Sequence, residues 1–287
     1  MRKLIWLAVL VVAVIIGGRL LYYGFTSYTP PDRPLPEDNI EVAAVAARLE
    51  AVDNPQVSRG VVAVDYAHDN ALFIEELNVL FSRIVSRGYS YEVLLNPDDA
   101  EEAGLEAKTL ADTLRYAKAL ILPLPRVEYT PEEAALIEQF VNKGGRLLII
   151  GDPTRTIAVE ALNSIAETFG IIYPNDYLYS LEHNDNNYRN VVYTRFAKSP
   201  LTEGLDEDAR LIFYSGSSVS APGHEIIFGD ETTYSSVSEG GRTLAAAALT
   251  TNDQVLALGD LTFFTEPYSA AENNGVFINN IADFLTA

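Results

Sequence analysis

Short apolar runs alternate with stretches of helical periodicity along most of the chain. Unbroken runs of apolar residues predict buried strands at 61–65, 119–123 and 146–150. A helix is predicted over 71–87, ended by Gly88. Its expected buried face consists of Phe73, Leu77, Leu80, Phe81 and Ile84.

A second helix is predicted between the strands at 119–123 and 146–150. Thr130 can cap it, Pro131 suits its first turn, and Glu133 completes a capping box. Its predicted buried stripe consists of Ala134, Ile137 and Val141. The following Gly144-Gly145 pair ends the helix before the next strand.

The alternation of strands and helices predicts an α/β domain over residues 58–287. Such an alternation is typical of a doubly wound, mainly parallel sheet with helices on both faces and right-handed crossovers. A strand at 89–94 and an acidic helical stretch at 97–116 fit the same scheme. The final strand and helix are predicted at 254–260 and around 277–285.

The pattern is looser around residues 174–250, where a β-rich excursion is predicted. Its short strand-like pieces are 190–196, 210–214, 225–228 and 243–250. The polar run 182–187 is predicted to be a surface loop. Five tyrosines cluster here: Tyr173, Tyr177, Tyr179, Tyr188 and Tyr193. Tyrosine is favoured at binding interfaces, so these residues either pack the excursion against the core or bind a partner through 173–235.

Residues 1–25 are predicted to be a transmembrane anchor. A basic start, Arg2-Lys3, precedes the uncharged run 4–18, Arg19 and a further apolar patch at 20–25. About 20 apolar residues span a bilayer core of roughly 30 Å, and the basic start favours a cytoplasmic N-terminus. We therefore expect membrane contact through residues 4–25 and an extracytoplasmic body. A cleaved signal peptide is the alternative.

A stalk is predicted over residues 26–57. Four prolines lie among the polar and acidic residues of 26–40, and this composition favours an extended polyproline II conformation. A short helix is predicted at 41–51.

Composition excludes several classes of function. The 40 acidic residues exceed the 20 basic ones, giving a net charge of -20, which disfavours nucleic acid as a partner. The absence of cysteine excludes disulfides, thiolate metal sites and a cysteine nucleophile. It also fits an exported protein.

Four segments, taken in order, resemble the DUF4350 group. They are 65–70, 122–133, 144–152 and 259–280. That group resembles the amidotransferase-like domains of gliding-motility ABC-type auxiliary proteins and of an intraflagellar transport subunit. The resemblance implies a flavodoxin-like, class I glutamine amidotransferase-like fold without the catalytic cysteine. It also implies a membrane-tethered, non-catalytic role near MoxR-type ATPases, DUF58 proteins or ABC-transporter components.

Three predicted strands end in an acid, Asp65, Asp152 and Asp260, and His68 and Arg155 follow two of them closely. Ligands bind at the carboxyl ends of parallel strands. These five residues are therefore the candidate ligand-binding site, and convergent carboxylates would suit a hard divalent cation or a cationic ligand. The alternative is structural, because aspartate after a strand often caps a helix or fixes a turn.

No catalytic motif is recognisable. Ser215-Gly216-Ser217-Ser218 lacks the G-x-S-x-G pattern of a nucleophile elbow, and no phosphate loop or H-E-x-x-H motif occurs. The sequence therefore predicts a non-enzymatic binding or scaffold domain without a cofactor or bound metal, accessory to an envelope or transporter-associated assembly. A metal-dependent hydrolase or solute-sensing domain using the acidic strand ends is the alternative.

Overall fold

A computed structural model describes residues 2–25, 58–237 and 244–287. Within 2–25, the described side chains are those of 3, 6, 7, 10–22 and 24. The chain divides into two compact units, Met1–Arg48 and Leu49–Ala287.

One helix, α1 (Arg2–Phe25), is described in the N-terminal unit. Trp6, Leu7 and Leu10 are all more than half exposed on it. Among the described residues, no helix combines the length and the apolar character needed to cross a membrane. The anchor over 4–25 stays a prediction. The stalk at 26–57, with its short helix, lies outside the described residues.

Parallel strands form the centre of the second unit. They are β1 (Gly60–Tyr66), β2 (Tyr89–Leu95), β3 (Ala117–Pro123), β4 (Arg146–Ile150) and β12 (Val255–Leu258). Their order across the sheet is β2-β1-β3-β4-β12, and every neighbouring pair is parallel. The described helices of this unit are α2 (Asn78–Ser86), α3 (Pro97–Glu102), α4 (Leu110–Leu114), α5 (Pro131–Asn142), α6 (Val159–Ala166) and α7 (Asn274–Leu285). The predicted α/β class with a mainly parallel sheet is thus confirmed.

Further strands come from the region predicted to be a β-rich excursion. They are β5 (Leu178–Ser180), β6 (Asn190–Tyr193), β7 (Arg195–Phe196), β8 (Leu211–Tyr214), β9 (Glu225–Phe228), β10 (Thr233–Ser235) and β11 (Ala245–Thr250). Three of them, β11, β9 and β7, continue the main sheet beyond β12 as antiparallel strands. The other four form two small ribbons, β5 with β10 and β6 with β8. Part of the excursion is therefore an edge of the main sheet.

Two helix predictions need correction. The helix predicted over 71–87 begins only at Asn78, after a 3₁₀ turn, and Phe73 is 73% exposed rather than buried. The reason is local: the Glu76 carboxylate accepts from the Phe73 backbone N–H and starts the turn there. The stretch 97–116 holds two short helices, α3 and α4, because Gly104 between them has a φ of +67°.

Apolar layers cover both faces of the sheet. One contains the α2 and α7 side chains Leu80, Ile84, Phe277 and Ile281, all fully buried. The other contains Ile137, Val141, Leu162 and Ile165 of α5 and α6. Polar groups of the sheet therefore emerge mainly at strand ends.

Candidate functional site

The direction in which strands are added reverses between β1 and β3. After β1 the chain forms β2 on one side, then crosses back to form β3 and β4 on the other. In open α/β sheets, ligands bind outside the carboxyl ends of the strands at such a reversal. The residues that follow β1 and β3 therefore occupy the position expected of a ligand-binding site.

Asp65 and His68 form a buried pair at the end of β1. Asp65 is fully buried and His68 is 6% exposed. His68 Nδ1 lies 2.9 Å from Asp65 Oδ2, and the Tyr129 hydroxyl donates to the same oxygen at 2.7 Å. The imidazole also stacks on the Tyr129 ring, with centroids 3.9 Å apart. One carboxylate thus fixes both rings.

The opposite nitrogen of His68 faces a second carboxylate. His68 Nε2 lies 3.6 Å from Glu133 Oε1, and Glu133 belongs to the predicted capping box of α5. Burial lowers the pKa of His68, but the bond to Asp65 and the charges of Asp65 and Glu133 outweigh it and raise the pKa overall. The two acids on either side of the imidazole therefore favour its protonated, cationic form.

A strained turn follows β3 and carries an aliphatic residue. Leu124 has a φ of +49° and is 1% exposed. Its N–H donates to the Ile150 carbonyl at 3.0 Å, and its carbonyl accepts from Ala71 N at 2.9 Å. In α/β-hydrolases a strained turn after a strand holds the nucleophile. Here that kind of position is filled by a leucine packed in the core.

The other two strand-end acids form a separate buried pair. Asp152 follows β4 and Asp260 follows β12, and these neighbouring strands are aligned with Leu258 opposite Ile150. Each acid lies two residues beyond this aligned pair, so the two carboxyls are neighbours, and Thr262 donates to both of them. Asp152 is 3% exposed and Asp260 is fully buried.

Nearby polar groups satisfy this pair. Asp152 accepts from Thr154 N at 2.8 Å and from the Thr262 hydroxyl at 3.0 Å. Asp260 accepts from Tyr214 N at 2.7 Å and from Thr262 N at 2.8 Å. Burial, then the charge of Asp152, raises the pKa of Asp260 well above its ordinary range, despite the two N–H groups that lower it. The buried surroundings therefore favour the neutral, protonated form of Asp260.

The five predicted site residues do not form one site. Val64 of β1 pairs with Ile121 of β3, and Ile121 pairs with Leu148 of β4. Asp65 lies one residue beyond Val64, whereas Asp152 lies four residues beyond Leu148. That offset is about 10 Å along the sheet, and two strand spacings add about 10 Å across it. Ligands of one calcium ion lie roughly 5 Å apart. Asp65 and Asp152 cannot share one cation at that distance.

Arg155 belongs to neither pair. Its guanidinium bonds the Glu76 carboxylate at 2.5 Å, on the turn before α2. Within the described part of the chain, no group of three or more histidine, aspartate or glutamate side chains is arranged to hold a metal ion. His68 illustrates why: its two nitrogens point at different carboxylates, so Asp65 and Glu133 do not converge on a common point.

The serine run has structural contacts. Ser215 Oγ accepts from Arg189 Nε, and Ser218 bonds Asp176 through both its backbone N–H and its hydroxyl. Ser217 Oγ donates weakly to the Gly259 carbonyl at 3.5 Å. None of these contacts involves a histidine.

The predicted tyrosine cluster divides into two groups. Tyr173 and Tyr193 are 1% exposed and belong to the core, as the packing alternative expects. Tyr177, Tyr179 and Tyr188 retain exposure, and Tyr188 is 48% exposed. The second group remains available to a partner.

Three contributors to the site were missed in the sequence: Tyr129, Leu124 and Thr262. Tyr129 precedes the α5 cap in a loop, and Thr262 follows Gly259-Asp260 at the start of a 3₁₀ turn, so both lie at the carboxyl edge. Their position next to a predicted strand end or helix cap was a usable signal. No sequence signal pointed to Leu124, because leucine is not a residue type that indicates a positive φ.

No known family model matches the chain, and no curated protein matches it. Among solved structures it is similar to the "mmIFT52 N-terminal domain", with a TM-score of 0.62, 15% identity, and coverage of 79% of this chain and 97% of that one. It is also similar to a putative ThuA-like protein from Parabacteroides merdae, with a TM-score of 0.46, 11% identity, and coverage of 82% and 91%. At this identity the first similarity shows a shared fold alone.

Proposed function

We propose that this chain is a membrane-anchored, extracytoplasmic binding domain that performs no covalent catalysis. It would serve as an accessory subunit of an envelope or transporter-associated assembly. The observation that carries the proposal lies at the strand reversal, where His68 is enclosed by Asp65 and Glu133 and the strained turn after β3 holds Leu124. A hydrolase would need a nucleophile facing the imidazole.

The proposal includes a class I glutamine amidotransferase-like fold of the DUF4350 kind without its cysteine. The strand order and the likeness to the mmIFT52 domain support this assignment at the level of the fold. The partner-binding role itself rests on the internal use of the polar groups. The carboxylates of Asp65, Asp152 and Asp260 all accept hydrogen bonds from other groups of the protein.

Membrane attachment through residues 4–25 is the second part of the proposal. The sequence pattern supports it: a basic start, an apolar run and an interfacial pair, Tyr22-Tyr23. Expression of the full chain in a bacterial host, followed by alkaline extraction of membranes, tests it. Retention in the membrane pellet, with the body digested by protease added to spheroplasts, is expected; release into the supernatant would refute the anchor.

In-cell crosslinking tests the binding role. The full chain, tagged at its C-terminus, is crosslinked in its native membranes and purified under denaturing conditions. The proposal predicts a discrete crosslinked species containing one other envelope protein in comparable amount. Recovery of the uncrosslinked chain alone would count against a scaffold role.

A groove beside β1 favours solute sensing as a second candidate. It has a volume of about 590 Å³ and lies next to the strand reversal; its lining includes Asp69, Asn70, Asp99 and Glu102. An acidic groove suits a cationic solute. Spermidine and Ca²⁺ are suitable probes: a rise in melting temperature that Asp99→Asn removes would support sensing, and an unchanged melting temperature would reject it.

A further inference from the structure

Partly exposed tyrosine rings form a continuous surface beside the carboxyl end of β12. We call it the tyrosine face and define it as Tyr177, Tyr179, Tyr188, Tyr234, Tyr214 and Arg189. Tyr179 is central: its ring centre lies 6.1 Å from Tyr177, 6.1 Å from Tyr188 and 5.5 Å from Tyr234. The Tyr214 backbone N–H bonds Asp260, which fixes this surface to the end of β12.

Arg189 joins the tyrosines of the β5–β10 ribbon to Tyr214. Its guanidinium lies 4.8 Å from the Tyr177 ring centre and 6.0 Å from that of Tyr214. Its Nε donates to Ser215 Oγ, and the Ser215 N–H donates back to the Arg189 carbonyl at 2.6 Å. The side chain is therefore held in one orientation by two rings and a hydroxyl.

The outer edge of this guanidinium has no protein partner in the described part of the chain. Neither Nη1 nor Nη2 forms a hydrogen bond there, and no carboxylate pairs with the group. Other described arginines are differently placed: Arg87 pairs with Asp283, and Arg155 with Glu76. Arg83, Arg146 and Arg195 also have no carboxylate partner, but each donates through Nη1 to a backbone carbonyl, which Arg189 does not.

The chemistry of this arrangement selects a carboxylate. A guanidinium presents parallel N–H groups that match the two oxygens of a carboxylate. Because rings and Ser215 already fix Arg189, little side-chain entropy is lost when an anion binds. The same fork also fits phosphate, so the neighbouring rings must decide between the two.

The rings favour an extended peptide over a free anion. Side chains on one face of an extended chain repeat every two residues, or about 6.6 Å. The steps from Tyr177 to Tyr179 and from Tyr179 to Tyr188 are 6.1 Å each. Leu181, 68% exposed in the same region, adds apolar surface. Tyrosine suits such contacts because it is part apolar and part polar.

We propose that the tyrosine face binds an extended segment of a partner protein, with an acidic side chain on the Arg189 fork and apolar side chains on Tyr179 and Tyr188. This inference rests on the proposed binding function and names the chemistry of its partner. The acid lies at one end of the segment, and apolar residues follow at every second position.

A peptide of matching pattern tests this proposal. The purified full chain is titrated into a fluorescently labelled Asp-Ser-Leu-Ser-Leu peptide, and anisotropy reports binding. A peptide with asparagine in place of its aspartate removes the charge while keeping the shape. Loss of a charge-assisted bidentate pair is expected to weaken binding by at least about tenfold.

Variants locate the contact. Arg189→Gln should weaken the aspartate peptide by about tenfold or more and leave the asparagine peptide unchanged, whereas Arg189→Lys should show an intermediate loss. Arg115→Gln is the matched control, because Arg115 is exposed and pairs only with Asp112 on α4. Circular dichroism melts establish that each variant is folded, and Arg189→Lys keeps the test valid if Arg189→Gln is not.

Three outcomes would overturn the proposal. They are no binding at millimolar peptide, equal affinity for the two peptides, and full affinity in Arg189→Gln. Competition by inorganic phosphate with no dependence on the leucines would reassign the face to simple anions and also overturn it. If crosslinking recovers a partner while these peptide tests fail, the binding function stands and only this inference falls. If the peptide binds with the expected dependence on Arg189 but no partner is recovered, the peptide-binding chemistry of the tyrosine face stands and the accessory-subunit role falls.

Discussion

Replacing Asp260 with asparagine should make two pH–stability curves cross. The carboxyl is fully buried beside Asp152, and its raised pKa favours the protonated form in the folded protein. Asparagine is neutral at every pH, and its amide can still donate to Asp152. It has only one acceptor oxygen, however, whereas Asp260 accepts from both Tyr214 N and Thr262 N.

The magnitude follows from these two differences. One orphaned backbone N–H costs the variant about 1–3 kcal/mol at any pH. In the wild type, the unfolded carboxyl ionises near 3.8, whereas the pKa of the folded carboxyl is well above that value. The contribution of Asp260 to the wild-type free energy of unfolding is therefore fully present below that pH. Above it, the contribution falls by about 1.4 kcal/mol per pH unit until the pH reaches the raised folded pKa. The wild-type advantage should vanish roughly one to two pH units above the unfolded value and then reverse.

Urea unfolding of both proteins between about pH 4 and pH 8 measures the difference directly, because other titrating groups cancel in the subtraction. The expected result is a wild-type advantage at pH 4 and a variant advantage at pH 8. A difference that stays constant with pH would show that Asp260 ionises normally in the folded protein. A wild-type advantage that grows with pH would refute the raised pKa of Asp260 outright.

Four further substitutions have predicted effects on stability. His68→Gln should destabilise the protein most below about pH 6.5 and less at high pH. The raised pKa of His68 means that its ion pairs stabilise the folded protein at low pH and are lost as the pH rises through that pKa. Melting temperatures at two pH values measure the difference. Thr130→Ala removes the α5 cap and should cost about 1 kcal/mol in urea unfolding. Phe263→Ala, at a fully buried ring, should cost about 3–5 kcal/mol by the same assay. Gly259→Ala would place its Cβ 2.0 Å from the Ser217 carbonyl oxygen, so little folded protein should appear in circular dichroism.

Local signals predicted the framework of the fold well. The strand at 61–65 and the capping box at Thr130 depend on neighbouring residues only, and the structure confirms both. The position of β11 within the main sheet could not be predicted from neighbouring residues. Its residues Ala245–Thr250 are small and weakly strand-like, and their position is set by pairing with β12 on one side and β9 on the other.

The candidate site shows a similar division. The positions of Asp65, Asp152 and Asp260 at strand ends were predicted correctly, because an acid after an apolar run marks such an end. The sequence left open whether these three acids form one site, because their grouping depends on strand register. A three-residue offset between β1 and β4 separates Asp65 from Asp152 and Asp260. That offset could not be predicted from the sequence.

Partner recovery by matched variants tests the non-catalytic binding role most directly. The tagged full chain, His68→Gln and Tyr179→Ala are crosslinked in native membranes, and the partner recovered per folded chain is quantified by mass spectrometry. The proposed function predicts equal recovery with the wild type and His68→Gln, and the tyrosine face predicts reduced recovery with Tyr179→Ala. Failure of the wild type to recover a specific partner, or loss of recovery with His68→Gln alone, would contradict the proposed role.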